Sequence, residues 1–196
     1  MNVPKVITRL LRDRQEDHVT RVTERKVGEV WVTELIECPM KRVFRSLLFF
    51  LETDVPVFLL GDFVHKGLQS YLKQMGYETE IDVEYRLDDN TVIKGRLDAY
   101  NGDEIVEIKY MRSMKDSKPL EHHVIQLKIY MMMVNAEKGR LIYVTPDRIA
   151  EYVIENPYTP EQVKVLLEDE KIPRWEWECD YCPYKSFCSY VVSKRR

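Results

Sequence analysis

The chain has 196 residues, 44% of them hydrophobic and 32% charged, with a net charge of −3 from 30 basic and 33 acidic side chains. This describes one globular domain with room for a small appended lobe, and it excludes collagen-like, low-complexity and disordered classes. The balance also excludes a global basic field, so contact with nucleic acid has to come from local patches such as "MKRVFR", "YMRSMKDSK" or the terminal "SKRR".

No apolar run reaches the length of a membrane span, and the N-terminus carries no signal-peptide pattern. The expected compartment is the cytoplasm, where clustered cysteines more often bind metal than form disulfides. In chain order, "VPKVITRLLRDRQED" predicts a short helix, and "VWVTELIECPMKRVFRSLLFFLE" a second one broken or started at Cys38-Pro39. "VPVFLLGDFVHKGLQSYLKQMG" places Val57, Val64, Leu68, Leu72 and Met75 at helical spacing. His65 lies on or beside that stripe, where a satisfied core histidine is the ordinary reading. Gly61, one turn earlier, thins the same face and would allow a close approach.

Strands follow at "ETEIDVEYRL", "TVIKGRLDAY" and "EIVEIKY". Pro119 can open the helix "PLEHHVIQLKIYMMMVN", and "RLIYVTP" and "AEYVIE" return to strand. "TPEQVKVLLEDE" is a helix with Thr159 as cap, Pro160 at its first position and Gln162 completing a capping box. A strand meander followed by a helix and returning strands predicts a mixed α/β sheet with helices packed on it.

Asn101-Gly102 is a strong two-residue hairpin signal. With that turn, Tyr100 pairs with Asp103, Asp98 faces Ile105 and Arg96 faces Glu107. Asp98, Ile105, Glu107 and Lys109 then share one face, and Leu97, Ala99, Val106, Ile108 and Tyr110 the other. Asp98 and Glu107 become diagonal neighbours, roughly 7–8 Å apart at the backbone, with room for one divalent ion. Charged strand residues are more often solvent-facing, so the hairpin alone leaves both readings open. On the later helix His122, Gln126 and Tyr130 recur every four residues; they form either an ordinary half-exposed face or a set of phosphate donors and a ring for base stacking.

All four cysteines fall in two places: Cys179, Cys182 and Cys188 in "CDYCPYKSFC", and Cys38 far upstream. Three closely spaced thiols lack a fourth ligand for a tetrahedral zinc or a cluster, and Cys38 is the only remaining thiol. Cys₄ zinc sites usually come as two close pairs, so the one-plus-three layout favours an iron–sulfur cluster, with zinc as the alternative. Trp175, Trp177, Tyr181 and Phe187 would supply a dry shell, or simply pack the lobe.

"GDFVH", "GRLDAY", "EIKY" and "QLKIY" resemble the G-x-x-x-H, G-x-x-D, E-x-K and Q-x-x-x-Y motifs of RecB-like nucleases in the PD-(D/E)xK superfamily. With one cysteine before these motifs and three after, the chain is similar to the CRISPR-associated RecB-like iron–sulfur exonucleases over roughly residues 38 to 188. The proline that usually precedes the first acid of the superfamily is Leu97 here. The resemblance implies a restriction-endonuclease-like mixed sheet flanked by helices, with a small iron–sulfur lobe built from both chain ends. It divides the chain into an N-terminal helical segment over 1–51 supplying Cys38, a nuclease core over 52–170 and a cysteine lobe over 171–196.

By the same resemblance, His65, Asp98, Glu107 and the Ile108 carbonyl hold Mg²⁺ or Mn²⁺, and Lys109 assists the chemistry. Gln126, Tyr130 and His122 contact DNA, and the four cysteines hold a cluster, [4Fe–4S] ahead of [2Fe–2S]. The implied activity is 5′→3′ exonucleolytic cleavage of single-stranded DNA with a further endonuclease activity, trimming DNA for spacer acquisition beside the CRISPR adaptation integrase. The competing expectation is a DNA-binding module without chemistry, carrying a structural zinc or iron–sulfur lobe.

Overall fold

The computed structural model describes residues 3–48, 56–114 and 117–192. The "SKRR" tail, Lys115 and Asp116 of the second basic patch, the "FFLE" end of the second predicted helix and the Val57 side chain lie outside the described residues. The chain divides into two compact units, one of Gly28–Ile36 with Pro56–Asp169, the other of Met1–Val27, Glu37–Val55 and Glu170–Arg196. The second unit joins both chain ends. Residues 28–36, expected in the N-terminal segment, belong instead with the sheet.

The sheet unit contains β1 (Glu29–Trp31), α2 (Val32–Ile36), α4 (Pro56–Gln74), β2 (Glu78–Arg86), β3 (Val92–Tyr100), β4 (Glu104–Tyr110), α5 (Glu121–Val134), β5 (Lys138–Val144), β6 (Ile149–Glu155) and α6 (Pro160–Glu168). β1 takes the first residues of "VWVTELI" into strand, and of the two expectations at Cys38-Pro39 a helix start is the one that forms. Gly28 at φ +85 lies so close to Asn90 that an added Cβ would sit 2.1 Å from its carbonyl oxygen, and Val92 N–H donates to the Gly28 carbonyl at 3.0 Å. The β-branched and aromatic run that follows therefore pairs with β3 before Glu34, reaching back to the Trp31 amide at 2.9 Å, starts the short helix.

The six strands form one mixed sheet in the order β1-β3-β4-β5-β6, with β2 also on β3. β2 runs antiparallel along β3 from Glu78–Tyr100 to Arg86–Val92, omitting only the Glu80–Asp98 pair. β1 and β4 must then share the opposite edge of β3, β1 parallel at Val92–Lys94 and β4 antiparallel at Ala99 and Tyr100. Between these two contacts the edge of β3 forks open at residues 95–98. β4 and β5 are parallel, as the α5 crossover requires, and β6 closes the sheet antiparallel to β5.

The sheet is covered on both faces. On one, Ile93, Leu97, Ile105, Leu141 and Tyr143 pack with Val32 and Leu35 of α2, Leu127, Ile129 and Met131 of α5, and Val163 of α6. On the other, Ala99, Val106 and Ile108 pack under Val64, Leu68 and Leu72 of α4. Met75, expected on that stripe, lies past the helix end and is exposed. The capping box of α6 forms as expected, with the Thr159 side chain accepting from Gln162 N–H and the Gln162 side chain from Thr159 N–H.

The other unit contains α1 (Val3–Thr23), α3 (Pro39–Leu47), α7 (Glu178–Tyr181) and a 3₁₀ turn at Lys185–Phe187. Pro39 at the first helical position makes Cys38 the N-cap of α3. Phe44 of α3 stacks on the fully buried Tyr184 with ring centroids 5.6 Å apart. Glu178, 2% exposed, accepts from the amides of Cys38 at 2.8 Å and Trp175 at 3.0 Å, with Lys41 Nζ at 3.6 Å. One buried carboxylate thus ties the Cys38 segment to the Cys179 segment with charge-assisted hydrogen bonds.

Candidate active site

The hairpin register differs from the two-residue turn expected at Asn101-Gly102. Asn101 Oδ1 accepts from the amides of Asp103 at 3.0 Å and Glu104 at 2.8 Å, and Gly102 takes φ +100. This Asx turn lengthens the loop, so Tyr100 pairs with Ile105 and Ala99 with Val106. The shift is two residues, an even number, so Asp98 and Glu107 keep their common parity. Carried one step further, the register sets them opposite each other rather than diagonal, although the ladder ends at Val106. Alternation is itself interrupted at Asp98: Leu97 packs with Ile93 and Ile105, whereas Ala99, paired with Val106, packs under α4. Leu97 and Ala99, expected on one face, lie on two.

At that interruption the Asp98 carboxylate turns into the fork. Its Oδ2 accepts from the Ile108 amide of β4 at 2.7 Å, and its Oδ1 lies 3.4 Å from His65 Nδ1 on α4. Glu107, 2% exposed, directs Oε1 to Lys109 Nζ at 2.7 Å, while Oε2 is buried and has no hydrogen-bond partner. Burial, and after it the Asp98 charge, pushes the Glu107 carboxyl up to about 7. Burial opposes the Lys109 ammonium, but Glu107 and Asp98 outweigh it and hold its pKa above the ordinary value. His65 balances the same way, its imidazolium disfavoured by burial and favoured more strongly by the hydrogen bond and charge of Asp98.

These four side chains are the expected set, brought together by one helix and two strands. As they stand each is engaged with a neighbour, and among the described residues no group of three or more His, Cys, Asp or Glu side chains converges on a metal position. The donor chemistry nevertheless suits a hard divalent cation: carboxylates, one imidazole and a buried carboxylate oxygen left unpaired. An orphaned acceptor in a dry interior is costly unless something of opposite charge meets it.

The other expected contacts come out differently. Gly61 faces Tyr110, where an added Cβ would make ordinary contact at 3.8 Å, so no close approach demands glycine there. Tyr130 is 3% exposed and its ring lies on Gly95, whose place a Cβ would occupy at 2.4 Å from Cε1. The ring face proposed for a stacking base is covered by β3. Gln126, 5% exposed, donates to the Tyr130 hydroxyl at 3.4 Å, and half-buried His122 packs against His123. Parity along α5 identifies the shared face but not which layer covers it.

Gln69, Glu80 and His123, which the motifs do not single out, join the site. Gln69, one turn after His65, donates from Nε2 to Glu80 Oε1 at 2.6 Å and to the Asp98 carbonyl at 3.1 Å. Only the i, i+4 spacing from His65 could have pointed to it. His123 lies 2.9 Å from the Tyr143 hydroxyl, and burial, followed by the Lys109 charge, depresses its pKa to about 2.

In the other unit all four cysteines line one hollow with Met40, Lys41, Phe44, Ile172, Glu178, Lys185, Tyr190 and Val191. Burial raises the pKa of Cys38 and of Cys182. Four free thiols around one largely apolar hollow suit a thiophilic metal or cluster. The shell differs from the expected one: Tyr181 and Phe187 are 80% and 59% exposed, because the turn that sends Cys179 inward sends Tyr181 out.

No protein-family model matches the chain. The CRISPR-associated exonuclease Cas4 of Saccharolobus solfataricus is 40% identical to it over 196 residues, covering 91% of this chain and 95% of that protein. The crystal structure of SSO0001 superimposes with a TM-score of 0.89 at 37% identity, covering 96% of this chain and 98% of that one. The alkaline exonuclease LHK-Exo of Laribacter hongkongensis, in its complex with dAMP, shares the fold at a TM-score of 0.58 and 14% identity, covering 82% of this chain and 94% of that one.

Proposed function

The chain belongs to the family of the CRISPR-associated exonuclease Cas4, and from that premise we propose that it hydrolyses phosphodiester bonds in single-stranded DNA from the 5′ end, with a further endonuclease activity. The observation that carries the reading is the unpaired Glu107 Oε2, buried beside Asp98, Lys109 and His65 at the fork of β3 and β4. Asp98, Glu107, His65 and the Ile108 carbonyl would hold Mg²⁺ or Mn²⁺, the imidazole favouring Mn²⁺. Such an ion supplies Lewis-acid polarisation of the phosphoryl group and a more acidic bound water.

The chain's own residues do the rest. The Ile108 amide fixes the Asp98 carboxylate. Lys109, cationic because two carboxylates face it, offers an ammonium to the charge that develops on the phosphoryl oxygens. His122 remains a candidate for backbone contact, while Gln126 and Tyr130 act from beneath, supporting β3 next to Asp98.

The four cysteines hold an iron–sulfur cluster in this reading, [4Fe–4S] ahead of [2Fe–2S], which fastens the two chain ends into one lobe. The biological role is trimming DNA for spacer acquisition with the adaptation integrase. The test is anaerobically purified protein with end-labelled single-stranded DNA, with and without Mn²⁺, beside Asp98→Ala. Cleavage should require Mn²⁺ or Mg²⁺ and fall by about three orders of magnitude in the variant, which stays folded and coloured. Equal cleavage by Asp98→Ala would remove the site.

A further inference from the structure

Glu80 is a glutamate in the left-handed region, at φ +56, inside a strand. Side chains with a Cβ adopt that conformation at a cost, and it persists where surrounding structure demands it. The surrounding structure here is Asp98. The β2–β3 ladder runs from Thr79–Ala99 to Ile81–Leu97 and skips the pair between them, Glu80 and Asp98. At the same step β3 exchanges the faces on which its side chains alternate.

Gln69 occupies the break. From α4, 5% exposed, its amide nitrogen donates both to the Asp98 carbonyl at 3.1 Å and to the Glu80 carboxylate at 2.6 Å. A part-buried carbonyl that the ladder leaves out needs a donor, and this one has a side-chain amide from the adjacent helix. Glu80 holds the amide in place from the strand side, with Arg96 Nη1 4.0 Å from its other oxygen.

We infer that Gln69 and Glu80 are a positioning pair that sets the Asp98 carboxylate toward its metal-binding orientation, and that the left-handed turn at Glu80 is retained for that purpose. The inference rests on the metal-site reading of Asp98. Neither residue touches the reacting atoms. Gln69 acts through the backbone of Asp98 and Glu80 through Gln69, as partners behind a ligand do when their loss weakens metal binding by about 10–100-fold.

The experiment measures Mn²⁺ alone, by electron paramagnetic resonance of the free ion, together with thermal unfolding, in Gln69→Ala, Glu80→Gly, Glu80→Gln and Asp98→Ala. Gln69→Ala is expected to weaken Mn²⁺ binding about tenfold or more, while Glu80→Gln, which keeps an acceptor for the amide, stays within about twofold of the parent. Glu80→Gly relieves the left-handed strain and should raise the melting temperature while weakening Mn²⁺ binding about tenfold. A merely structural residue would move both in the same direction. If Asp98→Ala loses Mn²⁺ and Gln69→Ala and Glu80→Gly bind it as the parent does, the positioning role is overturned and the metal site stands. If Asp98→Ala binds Mn²⁺ unchanged, the metal-site reading fails and takes the inference with it.

Discussion

The carboxylate fork and the thiol hollow gather their side chains by opposite means. Asp98, Glu107 and Lys109 come from one hairpin, so neighbouring strands bring them close and only His65 arrives from elsewhere. Cys38 reaches the other cysteines across a separation like the 140 residues between it and Glu178, and that buried carboxylate is what ties the two segments. The fork is built from polar groups competing for partners, and one oxygen goes without. The hollow is built from four thiols, of which Cys38 and Cys182 have pKa values raised by burial, and a largely apolar lining. A site on paired strands inherits its geometry from the ladder; a site between short helices depends on a few tertiary pins and on what it binds.

That contrast can be broken most severely in the hollow. Cys179→Ser should abolish the visible absorption of anaerobically purified protein and release the C-terminal segment to proteolysis. Absorption retained in full, or zinc in place of iron by metal analysis, would end the cluster reading.

In the sheet unit the largest effect is expected at Gly95→Ala, whose new methyl would overlap the Tyr130 ring. Overpacking there should destabilise the protein by about 3 kcal/mol in chemical denaturation. Adding Tyr130→Leu should recover part of that loss, and visible absorption should be unchanged in both variants. An additive double variant would mean that the ring is not what excludes a side chain.

The smallest effect sharpens the electrostatic half of the comparison. Glu107, ordinarily near 4.5, is raised to about 7 when folded, first by burial and then by Asp98. The folded chain therefore holds a proton that the unfolded chain releases between those values. The stability from this group is fully present below about pH 4.5 and is lost as pH rises through about 7. His123 works the other way: with its pKa lowered to about 2, it contributes stability above its ordinary 6.5 that is lost as pH falls. Comparing melting temperatures of metal-free parent and Glu107→Gln from pH 4.5 to 7.5 isolates the first group. The parent should lose stability relative to the variant as pH rises, and Mn²⁺, which favours the ionised carboxylate, should reverse the trend.

The residue pattern by itself determined the mixed sheet, the capped helix at Pro160, the shared parity of Asp98 and Glu107 and the one-plus-three cysteine layout. These are local quantities, set by side-chain period, turn chemistry and spacing. The turn length, the exchange of faces at Asp98, the strand at Glu29–Trp31 and the covered ring of Tyr130 were decided only by tertiary structure. Each depends on a partner distant in sequence: an Asx turn that moves a register, a glutamine from α4 that takes a strand's hydrogen bond, a glycine on β3 that admits a ring from α5. Periodicity records that a side chain faces inward, whereas what it meets there follows from how the layers close.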